Sequence, residues 1–227
     1  MRYIAHRGLS SQAPENTLSA FLLAAKTAHY FGIECDVQTT KDHQFVVFHD
    51  DELSRMTGHV AAIKDLNYDE LESVLIQSGE NLQVYPNKSI PLLTEFLDIC
   101  STYDKTAVIE LKHVHDISLL IEFMNILDFF PSLPKIVISF NISYLKYLRA
   151  LTDIPLQLLS ERINNELIYD ARVNKLDLSL EYHCITSNAI SQLKKEGFLI
   201  GAWTVTHEED AKKLEKLGVD FLTTDRL

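Results

Sequence analysis

Apolar residues along the chain follow two alternating rhythms. Short runs at 2–5, 33–37, 107–111, 136–140, 156–159, 176–180, 199–203 and 219–223 are rich in Ile, Val, Leu, Ala and aromatic residues, the pattern of strands covered on both faces. Between them, apolar positions recur every three or four residues, as Leu18, Phe21, Leu22 and Ala25 do, which predicts helices. Asn16-Thr17 reads as the cap of the first helix and Gly32 as its end. Eight such strands alternating with helices in 227 residues predict an α/β fold, a parallel (β/α)8 TIM barrel, with an open doubly wound sheet as the alternative.

One segment breaks the alternation. Residues 45–49 (FVVFH) are strand-like but follow the second strand after only Lys41-Asp42-His43-Gln44, too short a connection for a parallel crossover. They predict a hairpin that stands outside the barrel count. Residues 51–89 then fit no strand position before a helix begins near Pro91, and they read as a small insertion on the barrel's rim within a single domain of residues 1–227.

Composition narrows the function. With 46% hydrophobic residues, 23% charged and seven glycines, the chain is an ordinary ordered globular protein. The longest apolar stretches, 119–130 and 198–205, are too short or too interrupted to span a bilayer, so no stable membrane insertion is expected. The first residues, Met1-Arg2-Tyr3-Ile4-Ala5, do not form a basic-then-apolar leader, and a cytoplasmic location is expected. Cys35, Cys100 and Cys184 are far apart without metal-ligand spacing, which fits reduced thiols. A net charge of −11 disfavours nucleic acid and anionic membrane as partners. An anionic substrate would have to be held by a local cluster of cations or by a metal ion.

The strand ends carry that chemistry. In a barrel of this kind the active groups stand at the C-terminal ends of the strands. His6 and Arg7 end the first strand. Glu34 and Asp36, two residues apart, point to one face of the second, and Glu110 and Lys112 do the same on the third. Three carboxylates on neighbouring strands make a hard oxygen site suited to Mg2+ or Ca2+. Any one of these acids alone would read as a structural ion pair with Arg7 or Lys112. Together with the histidines, however, they concentrate more buried charge on one rim than packing or solubility requires.

The motifs resemble those of the glycerophosphodiester phosphodiesterase family. The resemblance rests on HRG at residues 6–8, PENT at 14–17, ExD at 34–36, TxD at 40–42 and VVxHD at 46–50. It continues through LxRxTG at 53–58, IPxLxEFL at 90–97, IELK at 109–112, AWTV at 202–205 and GVDxxxTD at 218–225, in the family's order along nearly the whole chain. It implies a TIM barrel, a divalent metal held by Glu34, Asp36 and Glu110, and His6 and His49 as an acid–base pair. It also implies that Arg7 and Lys112 contact the phosphate. Trp203, which as a lone aromatic would read as core, would border the substrate's glycerol. Glu15, in PENT, reads as a carboxylate that orients Arg7 rather than as a metal ligand.

A phosphodiester is a monoanion with a poor alkoxide leaving group. Its hydrolysis needs charge stabilisation, which a metal, Arg7 and Lys112 could supply, and proton transfer near neutrality, which suits imidazole. Which histidine is the acid, and whether water or the glycerol 2-hydroxyl attacks first, is open from the sequence. His113 and His115 read as solvent-exposed rim residues, and His29, His43, His59, His183 and His207 as surface or structural. The segment after Thr224 lacks the family's usual last helix, so the eighth helix is expected to be missing, or replaced by the helix between Glu208 and Leu217 packing as the seventh, and that edge to be covered in a homodimer. The short insertion, poor in aromatics, favours small water-soluble glycerophosphodiesters. Lysophospholipids, cleaved as by a phospholipase D, are the alternative substrate. A non-catalytic phosphodiester-binding barrel is the third reading, which the paired histidines disfavour.

Overall fold

A computed structural model describes residues 1–86 and 88–227. The chain runs β1 (Arg2–Ala5), α1 (Leu18–Lys26), β2 (Tyr30–Thr39), β3 (Phe45–Val47), α2 (Ser54–Thr57), α3 (Tyr68–Glu72), β4 (Leu75–Ile76), β5 (Lys88–Ser89) and α4 (Leu93–Thr102). It continues as β6 (Thr106–His113), α5 (Leu120–Asp128), β7 (Lys135–Ser139), α6 (Ile142–Arg149), β8 (Leu156–Ser160), α7 (Asn165–Val173), β9 (Asp177–Glu181), α8 (Ser187–Lys195), β10 (Ile200–Trp203), α9 (Glu208–Leu217) and β11 (Phe221–Thr224).

Strands β1, β2 and β6 to β11 pair in parallel, and β1 bonds both β2 and β11, so the sheet closes on itself as an eight-stranded barrel. The open doubly wound alternative is thereby set aside. β3 lies antiparallel on the outer end of β2, with Val37 opposite Val47, as the short connection requires. Each crossover between barrel strands carries a helix. α9 fills the last of these, and no helix follows β11 among the described residues. No helix is long and apolar enough to cross a membrane.

Residue alternation along the strands sorts side chains into layers. Ile33, Cys35 and Val37 of β2 and Ala107, Ile109 and Leu111 of β6 face outward into the main core. That core also takes Phe21, Phe96 and Phe123, all fully buried, from the surrounding helices. Inside the barrel, Ile4, Val108, Ile136 and Phe221 with Phe31 form an apolar plug, extended by Ile138, Leu159 and Trp203. The inward positions further along β2 and β6 are Glu34, Asp36, Glu110 and Lys112, so the interior passes from hydrocarbon to charge along the barrel axis. Residues 51–89 carry a separate apolar cluster around Leu53, Met56, Ile63, Leu71 and Ile76.

Two glycines differ in what they do. Gly32 does not end α1, which stops at Lys26; it lies within β2, where a Cβ would sit 2.8 Å from the Thr106 carbonyl oxygen of β6. Close strand approach, not helix termination, is therefore the reason for glycine there. Gly8 has φ +79°, and a Cβ on it would stand 2.6 Å from the backbone carbon of Ala20. The first βα loop can thus fold back on α1 only with glycine at this position. Gly8→Ala is expected to destabilise the protein by about 2 kcal/mol or more. Urea denaturation would check this, and an unchanged midpoint would refute it.

Candidate active site

The loop after β1 turns sharply through left-handed backbone at Arg7 (φ 55°) and Asn16 (φ 54°), as well as at Gly8. Non-glycine residues occupy this region at a cost, sustained where surrounding contacts fix them. Here the contacts are ionic. The Arg7 backbone N–H donates to Glu34 Oε2 at 2.8 Å, and its guanidinium lies 3.2 Å from Asp36 Oδ2 and donates to Glu15 Oε1 at 2.9 Å. Asn16 Nδ2 donates to Asp36 Oδ2 at 2.8 Å, while the Asp36 N–H donates back to Asn16 Oδ1 at 3.3 Å. From β6, the Lys112 ammonium stands 2.6 Å from Glu110 Oε1 and 3.3 Å from Asp36 Oδ1.

The three acids predicted as ligands come together. Glu34, Asp36 and Glu110 are buried, and one ligand oxygen from each lies within 4.8 Å of the others. Glu34 Oε1, Asp36 Oδ1 and Glu110 Oε1 are buried without a hydrogen bond, and of the three only the last two stand against the Lys112 ammonium. Buried acceptors without donors are costly. An all-oxygen cluster of this kind could hold a hard divalent cation.

Its charge state agrees. Burial pushes the Glu34 carboxyl well above its ordinary range, and the charges of Asp36 and Glu110 add to the shift. Burial, with the Asp36 charge, raises Glu110 to about 7. Burial would raise Asp36 as well, but Arg7 and Lys112 outweigh it and hold this carboxyl below its usual value. Asp36 is thus the fixed anion of the cluster, and the other two ionise fully only with more positive charge nearby.

The histidines are held by carboxylates from opposite directions. His6 Nδ1 lies 2.8 Å from Asp225 Oδ1, just past β11, and Ser10 Oγ donates to the same oxygen at 3.1 Å. His49 Nδ1 lies 2.6 Å from Asp50 Oδ1. Arg55 reaches from α2 to Asp50 through Nε at 2.5 Å and to Glu15 through Nη2 at 2.7 Å. These bonds to Arg55 and His49 hold Asp50 at about 2 in spite of its partial burial. His49 itself is lowered from its ordinary value, first by burial and then by the nearby Arg7 and Lys112 charges, against the pull of Asp36 and Asp50.

Six of these groups border one cavity of about 240 Å3 at the mouth of the barrel. His6, Arg7, Glu34, His49, Glu110 and Lys112 line one part of it, and Ile138, Phe140, Leu159, Glu161, Trp203 and Thr204 the other. Trp203 packs on the interior plug and also walls the cavity, edge-on to Phe140 with centroids 5.5 Å apart. Glu15 lies on Arg7 and Arg55, outside the buried acid cluster. His113 and His115 stay outside the cavity. Asp50, Arg55 and Asp225 had no role assigned from sequence, although VVxHD, LxRxTG and GVDxxxTD contained them, and Asn16, read with Thr17 as a helix cap, instead bonds Asp36 while Thr17 alone caps α1. Phe140 and Glu161 gave no sequence signal.

Comparison with known proteins gives the lineage. The Bacillus subtilis protein YhdW is 33% identical over 234 residues, which cover 99% of this chain and 94% of the relative. The glycerophosphodiester phosphodiesterase of Caldanaerobacter subterraneus subsp. tengcongensis is 31% identical over 98% of this chain and 93% of its own. Among solved structures, an Oleispira antarctica phosphodiesterase in complex with the product sn-glycerol-3-phosphate superposes with a TM-score of 0.93 at 29% identity, covering 99% of this chain and 93% of that one. The family model for the glycerophosphoryl diester phosphodiesterases matches residues 6–227, and the chain belongs to that family of enzymes.

Proposed function

We propose that this chain hydrolyses glycerophosphodiesters to sn-glycerol 3-phosphate and an alcohol, with Mg2+ or Ca2+ held by Glu34, Asp36 and Glu110. The observation that carries this reading is the pairing of two carboxylate-held histidines, His6 and His49, in one cavity with Glu34 and Glu110 of the acid cluster and with Arg7 and Lys112. The product in the Oleispira structure is the one this reaction would release. Three free cysteines without a disulfide fit a reducing compartment such as the cytoplasm.

Each residue has a role its surroundings suit. Arg7 and Lys112 take the phosphoryl oxygens, and Glu15 keeps the Arg7 guanidinium in place. With Nδ1 of each histidine committed to Asp225 or Asp50, Nε2 is the nitrogen left for the substrate. One ring removes the proton from the nucleophile, either water or the substrate's own 2-hydroxyl, and the other protonates the departing alkoxide. A bound divalent cation would neutralise charge on the phosphoryl group in the transition state. Trp203 and Phe140 wall the space next to the phosphate, where a glycerol backbone fits. The apolar wall is limited to Ile138, Phe140, Leu159 and Trp203, and the adjoining groove is polar. This favours a soluble diester over a lysophospholipid.

His6→Ala and His49→Ala should each lower kcat for glycerol 3-phosphate release by about 10²- to 10⁴-fold while the melting temperature stays near wild type. Near-normal kcat in either variant would remove that histidine from proton transfer. Trp203→Ala should chiefly raise KM, and unchanged kinetics would return this residue to packing alone.

Metal removal has a pH signature. Glu110 titrates at about 7 in the folded chain against an ordinary value of 4.5, so the folded state binds this proton more tightly than the unfolded state. The stability so gained is complete below the unfolded value and is lost as the pH rises through the folded one. In EDTA the melting temperature should therefore fall between about pH 5 and about pH 8. Mg2+ or Ca2+ should restore more of it at the higher pH, and Glu110→Gln should flatten the decline. A wild-type melting temperature independent of both pH and cation would contradict the assignment.

A further inference from the structure

Arg55, in α2, uses both edges of its guanidinium. Along one edge, Nε and Nη2 donate to Asp50 Oδ2 and Oδ1 at 2.5 and 3.1 Å. Along the other, Nη2 and Nη1 donate to Glu15 Oε1 and Oε2 at 2.7 and 3.2 Å. Each of these carboxylates has a second partner in the site. Asp50 Oδ1 meets His49 Nδ1 at 2.6 Å, and Glu15 Oε1 accepts from Arg7 Nη1 at 2.9 Å. One side chain thus touches both the carboxylate that orients His49 and the one that orients Arg7.

This is more than a surface ion pair. The Arg55 side chain is 47% exposed, and a single pair at that exposure would contribute little. Two forked pairs on one planar group, however, fix its position together with those of both acids, a geometry that an ammonium cannot supply. Burial would raise both carboxyls, yet the bonds from Arg55, with His49 on Asp50 and Arg7 on Glu15, hold each below its ordinary range. Both acids therefore keep their charge. The backbone that carries Arg55 is anchored as well. Leu53 and Met56, on either side of it, are buried in the apolar cluster of residues 51–89, and Gly58 closes α2 in the left-handed conformation with its N–H on the Ser54 carbonyl. No described residue of that segment lines the chamber at the barrel mouth, and its ion pairs among the described residues are those of Arg55.

Resting on the hydrolase reading above, we propose that Arg55 is a positioning residue for the reaction, setting His49 through Asp50 and Arg7 through Glu15. Proton transfer and phosphate binding are then aligned by one guanidinium, and the insertion serves the reaction by supplying it.

The test measures kcat and KM for glycerol 3-phosphate release from glycerophosphocholine, in the full chain with saturating Mg2+ or Ca2+, for wild type, Arg55→Ala, Arg55→Lys, Asp50→Asn and Glu15→Gln. Asp50→Asn should chiefly lower kcat and Glu15→Gln chiefly raise KM. Arg55→Ala should do both, with kcat down about tenfold and KM up about threefold, the scale of groups slightly misplaced rather than lost. Arg55→Lys, a point charge without the fork, should recover one constant at most. In Arg55→Ala combined with Asp50→Asn, kcat should fall little below that of Asp50→Asn alone, because both changes release the same imidazole. Wild-type kcat and KM in Arg55→Ala, whether or not its melting temperature falls, would overturn the proposal and leave Arg55 a structural residue. Full multiplication of the two kcat losses in the double variant would overturn it too. No release by wild type would overturn the hydrolase reading and this role with it.

Discussion

The buried carboxylate of Asp36 is the constraint on which the rest of the site depends. A charge this deep is tolerated only when it is surrounded by partners, because desolvation would otherwise neutralise it. Asp36 collects an amide from Asn16, the guanidinium of Arg7 and the ammonium of Lys112. These come from the first loop and from β6, on either side of its own strand. The left-handed backbone at Arg7 and Asn16 is the conformational cost of bringing the first loop to this anion. The glycine at position 8 lets the same loop rest on α1. Loop shape, charge balance and the placing of the Arg7 and Lys112 cations are thus one arrangement.

The separation of apolar and ionic layers inside the barrel follows from strand periodicity. On β6, Val108, Glu110 and Lys112 share the inward face, so one alternating strand supplies a plug residue, an acid of the cluster and a cation in succession. The hydrocarbon below excludes water from one side of the carboxylates and raises the proton affinity of Glu34 and Glu110. The same burial leaves carboxylate oxygens without donors, which a divalent cation could satisfy.

Much of this was legible in the sequence, for reasons particular to the residues. Strands buried on both faces are continuous in apolar residues, so all eight could be found. β1 kept its limits, but other edges shifted by up to three residues because pairing, not composition, sets where strands start; β2, bonded by β1, β6 and β3, runs from Tyr30 to Thr39. Glu34 and Asp36 were placed on one face because a two-residue period has no ambiguity. What the sequence did not reveal were contacts across long separations. Asp225 on His6 and Arg55 bridging Asp50 to Glu15 are such contacts, since nothing local to either partner encodes the other. Gly32 was misread because glycine ends helices often and permits close strand approach less often.

The bond between His6 and Asp225 spans 219 positions of sequence and bridges the seam at which the barrel closes. One member follows the first strand of the barrel and the other its last, so the imidazole gains this partner only once both strands are paired. The setting of this imidazole is in this way tied to closure of the cylinder. A chain cut or stalled before its final strand could keep most of its hydrophobic core and still hold His6 without the carboxylate that aligns it.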